Sequence, residues 1–134
     1  MNIPAIYNEV MYGLLMKTKA NEVLWNTTTN NNTFIVYFNK FNLSIQQRFN
    51  DNETWVNVEL INNDGNKIDG FYIENGDDDW EKAEELYSLA RRSALSINVA
   101  IQEMLAELSK IGVIGKKIKD NFSNVDISSD DIPF

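Results

Sequence analysis

"TFIVYFNKFNLSIQQRFNDNETWVNVELINNDGNKIDGFYIE", Thr33 to Glu74, is the stretch on which the fold turns. It divides into four apolar-rich runs separated by turn formers. Residues 33–39, TFIVYFN, are apolar on both faces, which suits a central strand. Residues 43–49 alternate: Leu43, Ile45 and Phe49 point one way, Ser44, Gln46 and Arg48 the other. That period of two marks a half-buried strand and places Phe49 in the core. Residues 54–61 set Val56, Val58 and Leu60 on one face and Trp55 on the opposite one. Residues 67–74 complete the set, and "NNDGN" supplies a hairpin turn through Asp64 and Gly65. The pattern predicts a four-stranded antiparallel meander.

Helical patterns flank the strands. Upstream, residues 4–19 carry Ile6, Tyr7, Val10, Met11, Leu14 and Leu15 at spacings of three and four, with Pro4 suited to the first turn and Gly13 a weak point. Between this helix and the strands, "WNTTTNNNT" (Trp25 to Thr33) reads as a turn. Downstream, residues 78–108 form one long helical pattern. Asp78 is placed to cap it, Glu81 to return the capping-box bond, and the nearby acids favour the helix dipole. Leu86, Leu89, Ala90 and Ser93, then Ile97, Ala100, Ile101, Met104, Leu105 and Leu108, make an apolar stripe, with Ser96 restarting the helix after a bend. Gly112 and Gly115 end it. The expected fold is α+β: the meander with an N-terminal helix and a long C-terminal helix on one face. Residues 1–115 make one domain, and residues 116–134 make a flexible tail, basic at Lys116, Lys117 and Lys119 and then acidic.

Composition narrows the chemistry. Twenty acids against 12 bases in 134 residues leave a net charge of −8, which disfavours a general phosphate-neutralising role. There is no Cys and no His, so disulfides, thiolate nucleophiles, imidazole bases and thiolate-rich zinc sites are excluded. The N-terminus has no basic region ahead of its apolar residues, and no apolar run approaches the roughly 20 residues that span a bilayer. A cytoplasmic protein with no catalytic residues, no cofactor, no metal and no membrane partner is expected.

Three clusters invite a functional reading. Asp77, Asp78 and Asp79 could face a divalent cation, but adjacent carboxylates diverge in regular structure, and helix capping accounts for them better. "NNDGNKIDGFYIE" resembles a calcium loop only until Leu60 falls on the first ligand position, where it offers no side-chain oxygen. Arg91 and Arg92 could bind phosphate or, more simply, pair with Glu84 or Glu85 along the helix. Lys40, Phe41, Arg48, Phe49, Trp55 and Tyr72 mix rings and positive charge in the strand region, as a single-stranded DNA platform requires. Lys40, Arg48, Trp55 and Tyr72 are the contacts it would use, with Trp55 the most exposed ring.

The last ten residues, "VDISSDDIPF", carry a more specific signal. Asp130, Asp131, Ile132, Pro133 and Phe134 resemble, residue for residue, the acidic C-terminal tip of bacterial single-stranded DNA-binding proteins. Asp126, Ile127 and Ser128 resemble the residues that precede that tip. A final Phe offers a ring for an apolar pocket and an α-carboxylate for a basic lip, a known mode of peptide capture. Pro133 lowers the ordering cost, and the two Asp steer the segment toward basic surfaces. The resemblance implies docking onto DNA helicases, recombination mediators and primosome proteins.

The body departs from that family, whose members begin with an oligonucleotide-binding barrel and reach the tip through a long Gly-, Gln- and Pro-rich linker. The barrel's DNA-binding residues therefore do not carry over. The span from Leu24 to Leu108, with "LW" early and "LYSLARRSAL" late, is similar to a small domain of uncharacterised bacterial proteins and brings no activity with it. The expected function is a non-enzymatic adaptor in DNA replication, recombination or repair. The alternative is a stand-alone regulatory or assembly domain that binds a protein through its sheet or helix face.

Overall fold

A computed structural model describes residues 2–118, so the tip, Asp130 to Phe134, and Lys119 lie outside the described residues. The chain divides into two compact units, residues 1–101 and 102–134. The first opens with a 3-10 turn, Ala5–Tyr7, running into helix α1, Asn8–Lys19. Five strands follow: β1 Asn26–Thr27, β2 Thr33–Tyr37, β3 Phe41–Phe49, β4 Thr54–Asn62 and β5 Lys67–Glu74. They form one antiparallel sheet in chain order, so the predicted meander is present with one strand added. Helix α2, Trp80–Ala94, and helix α3, Ile97–Leu108, come next. In the second unit the described residues are the rest of α3 and an irregular stretch to Ile118, all exposed.

The added strand corrects the reading of "WNTTTNNNT" as turn alone. Asn26 and Thr27 pair with Ile35 and Phe34. The Thr28 hydroxyl, donating to the Thr33 carbonyl at 3.0 Å and accepting from the Asn30 N–H at 3.1 Å, folds the Asn-rich segment back. A two-residue strand is too short to show a period of two. Its presence leaves β2 second from an edge, and β3, not β2, lies at the centre.

The pleat sorts the side chains. On the covered face, Leu43, Ile45, Val56, Val58, Phe71 and Ile73 pack with Tyr7, Met11, Leu14 and Leu15 from the N-terminal helical segment. Ala83, Leu86, Tyr87 and Ala90 of α2 complete this core. Ala83 and Ala90 have no exposed surface; their small side chains let the α2 backbone lie close to the strands. Trp25, buried beside α1, donates its indole N–H to the Thr18 hydroxyl at 3.0 Å, so the polar end of the ring is satisfied where water is excluded. Three expected core residues are exposed: Phe49 at 64%, Ile6 at 79% and Val10 at 42%. Phe49 has the parity of Leu43 and Ile45 but ends its strand, where the alternation continues and the cover does not.

The long C-terminal pattern is broken where Ser96 was expected to restart it. Ser96 adopts φ +54°, a left-handed conformation that interrupts a right-handed helix. The stripe upstream of the break supplies Leu86 and Ala90 to the core, whereas no residue of α3 is buried. The cap also differs from expectation. Asp79, not Asp78, is the N-cap, and it makes no side-chain cap bond. Its carboxylate accepts the Ile3 N–H at 2.9 Å, tying the N-terminal segment to α2. Asp77 accepts the Glu74 N–H at 2.7 Å. Glu85 pairs with Lys19 at 3.1 Å, not with an Arg of its own helix, and Arg92 donates to the Asn98 side-chain oxygen at 3.4 Å.

One polar contact pins the helical layer to the sheet. The Tyr7 hydroxyl donates to an Asp69 carboxylate oxygen at 2.6 Å, and the Tyr7 ring lies against Phe71 with centroids 4.8 Å apart. Burial first, and then the bond and charge of Asp69, push the Tyr7 hydroxyl up to about 12. The Tyr7 hydrogen bond, joined by the Gly70 N–H, holds Asp69 below the usual carboxylate range. The signs set the pH window. The lowered Asp69 contributes stability above its unfolded pKa of 3.8, lost as pH falls through the folded value. The raised Tyr7 contributes stability below 10, lost as pH rises toward about 12. Tyr7→Phe is expected to flatten both limbs of a stability-versus-pH profile from denaturant melts. Unchanged limbs would remove the pair from this role.

Candidate functional site

The covered face is occupied by side chains of the core, so attention moves to the other face of the sheet. Arg48 on β3 stands opposite Trp55 on β4, which stands opposite Glu74 on β5. One pleat further along, Asn57 pairs with Tyr72. The period of two that sends Val56, Val58, Phe71 and Ile73 inward thus sends Trp55 and Tyr72 outward together. Arg48 lies over the Trp55 ring, its guanidinium carbon 5.9 Å from the centroid, within cation–π range. Trp55, expected to be the most exposed ring, is half-buried, and Tyr72, 42% exposed, is the more open of the two. The two rings and Glu53 and Glu74 line a shallow depression of about 280 Å³.

Three of the four expected DNA contacts, Arg48, Trp55 and Tyr72, are therefore brought together. Lys40 is not. It lies in the turn before β3, at the opposite end of a nine-residue strand from Arg48, roughly 25 Å away at strand rise. Its neighbours are the exposed rings of Tyr37, Phe38 and Phe41, in a turn closed by the Phe38 N–H donating to the Phe41 carbonyl at 2.8 Å. The electrostatics of the Trp55 site are mixed. Trp55 has Arg48 on one side and Glu74 on the other, with Glu53 lining the same depression, while Lys67 is held by Glu59 at 3.6 Å. The arrangement can stack a flat ring against Trp55 and Tyr72, and it offers a phosphate chain little positive charge to follow.

A second concavity was missed in the sequence. Between α1 and α2, Ile3, Met11, Leu15 and Leu86 floor a groove of about 540 Å³. Tyr12 and Met16 line it too and are exposed, at 64% and 44%. Lys19, Lys82, Asp79 and Glu85 supply its charges. A signal was present: Met11, Tyr12, Leu14, Leu15 and Met16 put five apolar residues in six positions, more than one buried helix face can hide. Among the described residues, no group of three or more acids is placed to hold a metal ion. Set against known proteins, the chain matches no family model, no curated protein and no solved structure.

Proposed function

We propose that the protein is a non-enzymatic adaptor of DNA replication, recombination or repair whose tip, Asp130 to Phe134, docks onto proteins that read the tip of bacterial single-stranded DNA-binding proteins. The observation that carries the reading is the ordered set Asp130, Asp131, Ile132, Pro133 and Phe134. Each residue has a task in capture: two charges for steering, and two apolar groups and a ring for the pocket. The basic stretch before it, Lys116, Lys117 and Lys119, separates the acids of the tip from those of the body.

A pull-down on a purified tip-reading helicase tests the proposal. Full-length protein should be retained, and a synthetic Val125–Phe134 peptide should compete it off. A version lacking Ile132 to Phe134, and one with two residues appended after Phe134, should both be lost. Equal retention of all versions would overturn the reading, and loss of the truncated version alone would show that the α-carboxylate is not read.

Direct contact with single-stranded DNA through Arg48, Trp55 and Tyr72 is part of the same proposal. Anisotropy of a labelled oligonucleotide at low salt should report binding. Trp55→Ala should weaken it by roughly fivefold to a hundredfold, the worth of one stacked base. Lys40→Ala, at the far end of the strand, should change it less than about twofold, as a single exposed charge does. No anisotropy change with the wild type at low salt would eliminate this contact and leave the tip docking to be judged on its own test.

A further inference from the structure

On the side of Arg48 away from Trp55, the sheet ends in a concavity of about 290 Å³ lined by Asn30, Asn32, Gln46, Gln47, Arg48 and Phe49. It arises from a difference in strand length. β2 begins at Thr33, which pairs with Gln46, so the last residues of β3 run on without it. The Gln47 N–H donates to the Asn32 carbonyl at 3.2 Å and draws the Asn-rich segment alongside. By the alternation of an antiparallel ladder, the next groups on that edge are the N–H and C=O of Phe49. They have no backbone partner among the described residues.

Hydrogen-bonding capacity at this corner exceeds what the chain itself uses. The Asn30 side-chain oxygen accepts the Asn32 N–H at 2.9 Å and shapes the segment. The side-chain amides of Asn32, Gln46 and Gln47 make no hydrogen bond among the described residues, although Gln46 and Gln47 are half-buried. The Thr33 hydroxyl, on the residue opposite Gln46, is buried and equally without a partner. The exposed Phe49 ring stands at the same rim.

These groups select a ligand. An amide sets a donor beside an acceptor, the complement of a nucleobase edge, and an exposed ring supplies a stacking surface. Arg48 is the one charged residue among those lining the concavity, so a phosphate next to the base meets no carboxylate there, unlike at the Trp55 depression with Glu53 and Glu74. Adenine joins a donor and an adjacent acceptor to a two-ring face, and Asn and Gln are its usual partners. The guanidinium that would favour guanine is held over Trp55.

We propose that this corner is a base-reading pocket. A single strand stacked on Trp55 passes Arg48 and places its next base, adenine before the others, against the Phe49 ring and the amides of Asn32, Gln46 and Gln47. The inference rests on the reading of Arg48, Trp55 and Tyr72 as a contact for single-stranded DNA. To that contact, which stacking alone leaves tolerant of sequence, it adds a preference.

Anisotropy at low salt with a labelled dT strand, and with the same strand carrying adenine or cytosine at its centre, tests this. The adenine strand should bind roughly fivefold to 150-fold tighter than the dT strand, the worth of one amide–adenine pair. Asn32→Ala with Gln47→Ala should erase that difference while changing dT binding less than about twofold, since stacking carries the latter. Gln47→Glu keeps the shape of the side chain and should also erase it, which guards against loss of folding. Trp55→Ala should weaken all three strands alike. In NMR spectra, titration with deoxyadenosine monophosphate should shift the side-chain amide resonances of Asn32, Gln46 and Gln47, and deoxyribose phosphate should not. Equal binding of the three strands, or tighter binding of the cytosine strand, would overturn the pocket and leave the stacking contact standing. Shifted amides with no strand bound would support the pocket and remove the stacking contact. No strand bound and no amide shifted would overturn both.

Discussion

Phe134→Ala should weaken binding to a tip-reading helicase by roughly 30-fold to 1,000-fold, the range of an interface hot spot of about 2–4 kcal/mol. The ring is the largest apolar group of the tip, and truncation leaves its pocket unfilled while the chain still bears the cost of ordering. Asp130→Asn with Asp131→Asn should act differently. Exposed charges contribute about 0.2–1 kcal/mol each, so the double variant should lose only a fewfold in affinity at low salt. It should also flatten the salt dependence, because those charges are the ones screened. Isothermal titration at two ionic strengths separates the effects. A Phe134→Ala variant that binds like wild type would remove the tip from the proposed function, whatever the body does.

Phe34→Ala is expected to cost about 3–5 kcal/mol, the usual loss when a buried aromatic is cut to a methyl group. Phe34 is 2% exposed, and its ring stands 5.7 Å from that of Tyr87 on α2. Its strand is held on one side by β3 and on the other by the two residues of β1, so few neighbours can move in to close the cavity. Against a typical total of about 5–15 kcal/mol, this is a large share, and the melting temperature should fall by about 12 °C or more. Phe49→Ala is the control. Both rings lie in apolar-rich strand runs of the sequence, but Phe49 is 64% exposed, so its loss should stay within about 1 kcal/mol. Equal losses from the two variants would contradict the packing described above.

The contrast between Phe34 and Phe49 shows how legibility was distributed. Period-two runs and a strong turn at Asp64-Gly65 are local signals, and each of the four expected strands is present. The same alternation aimed Trp55 and Tyr72 at the uncovered face, so most of that candidate site was readable. Whether an inward-pointing residue meets a neighbour depends on how far the covering layer extends, and no local pattern contains that length. Phe49, Ile6 and Val10 were misplaced for this reason. The cap was misassigned on similar grounds: the Asp79 carboxylate has a choice of N–H donors, and the Ile3 N–H, 76 positions away, is invisible in a window of four. Lys40 was grouped with Arg48 by charge and nearness in the chain, and an extended strand turned eight positions of sequence into the length of the sheet.

By itself, then, the sequence determined the four longer strands and the helical regions on either side of them, the antiparallel meander, the lack of thiol and imidazole groups, and the order Asp-Asp-Ile-Pro-Phe at residues 130–134. Those features are set by periodicity, by composition or by a short motif, all of which are local. Only the tertiary structure decided that β1 pairs with β2, that a left-handed Ser96 breaks the long helical pattern in two, and that α1 and α2 part enough to leave a groove with an apolar floor. Those outcomes depend on which surfaces meet, and a surface finds its partner through packing across the whole domain.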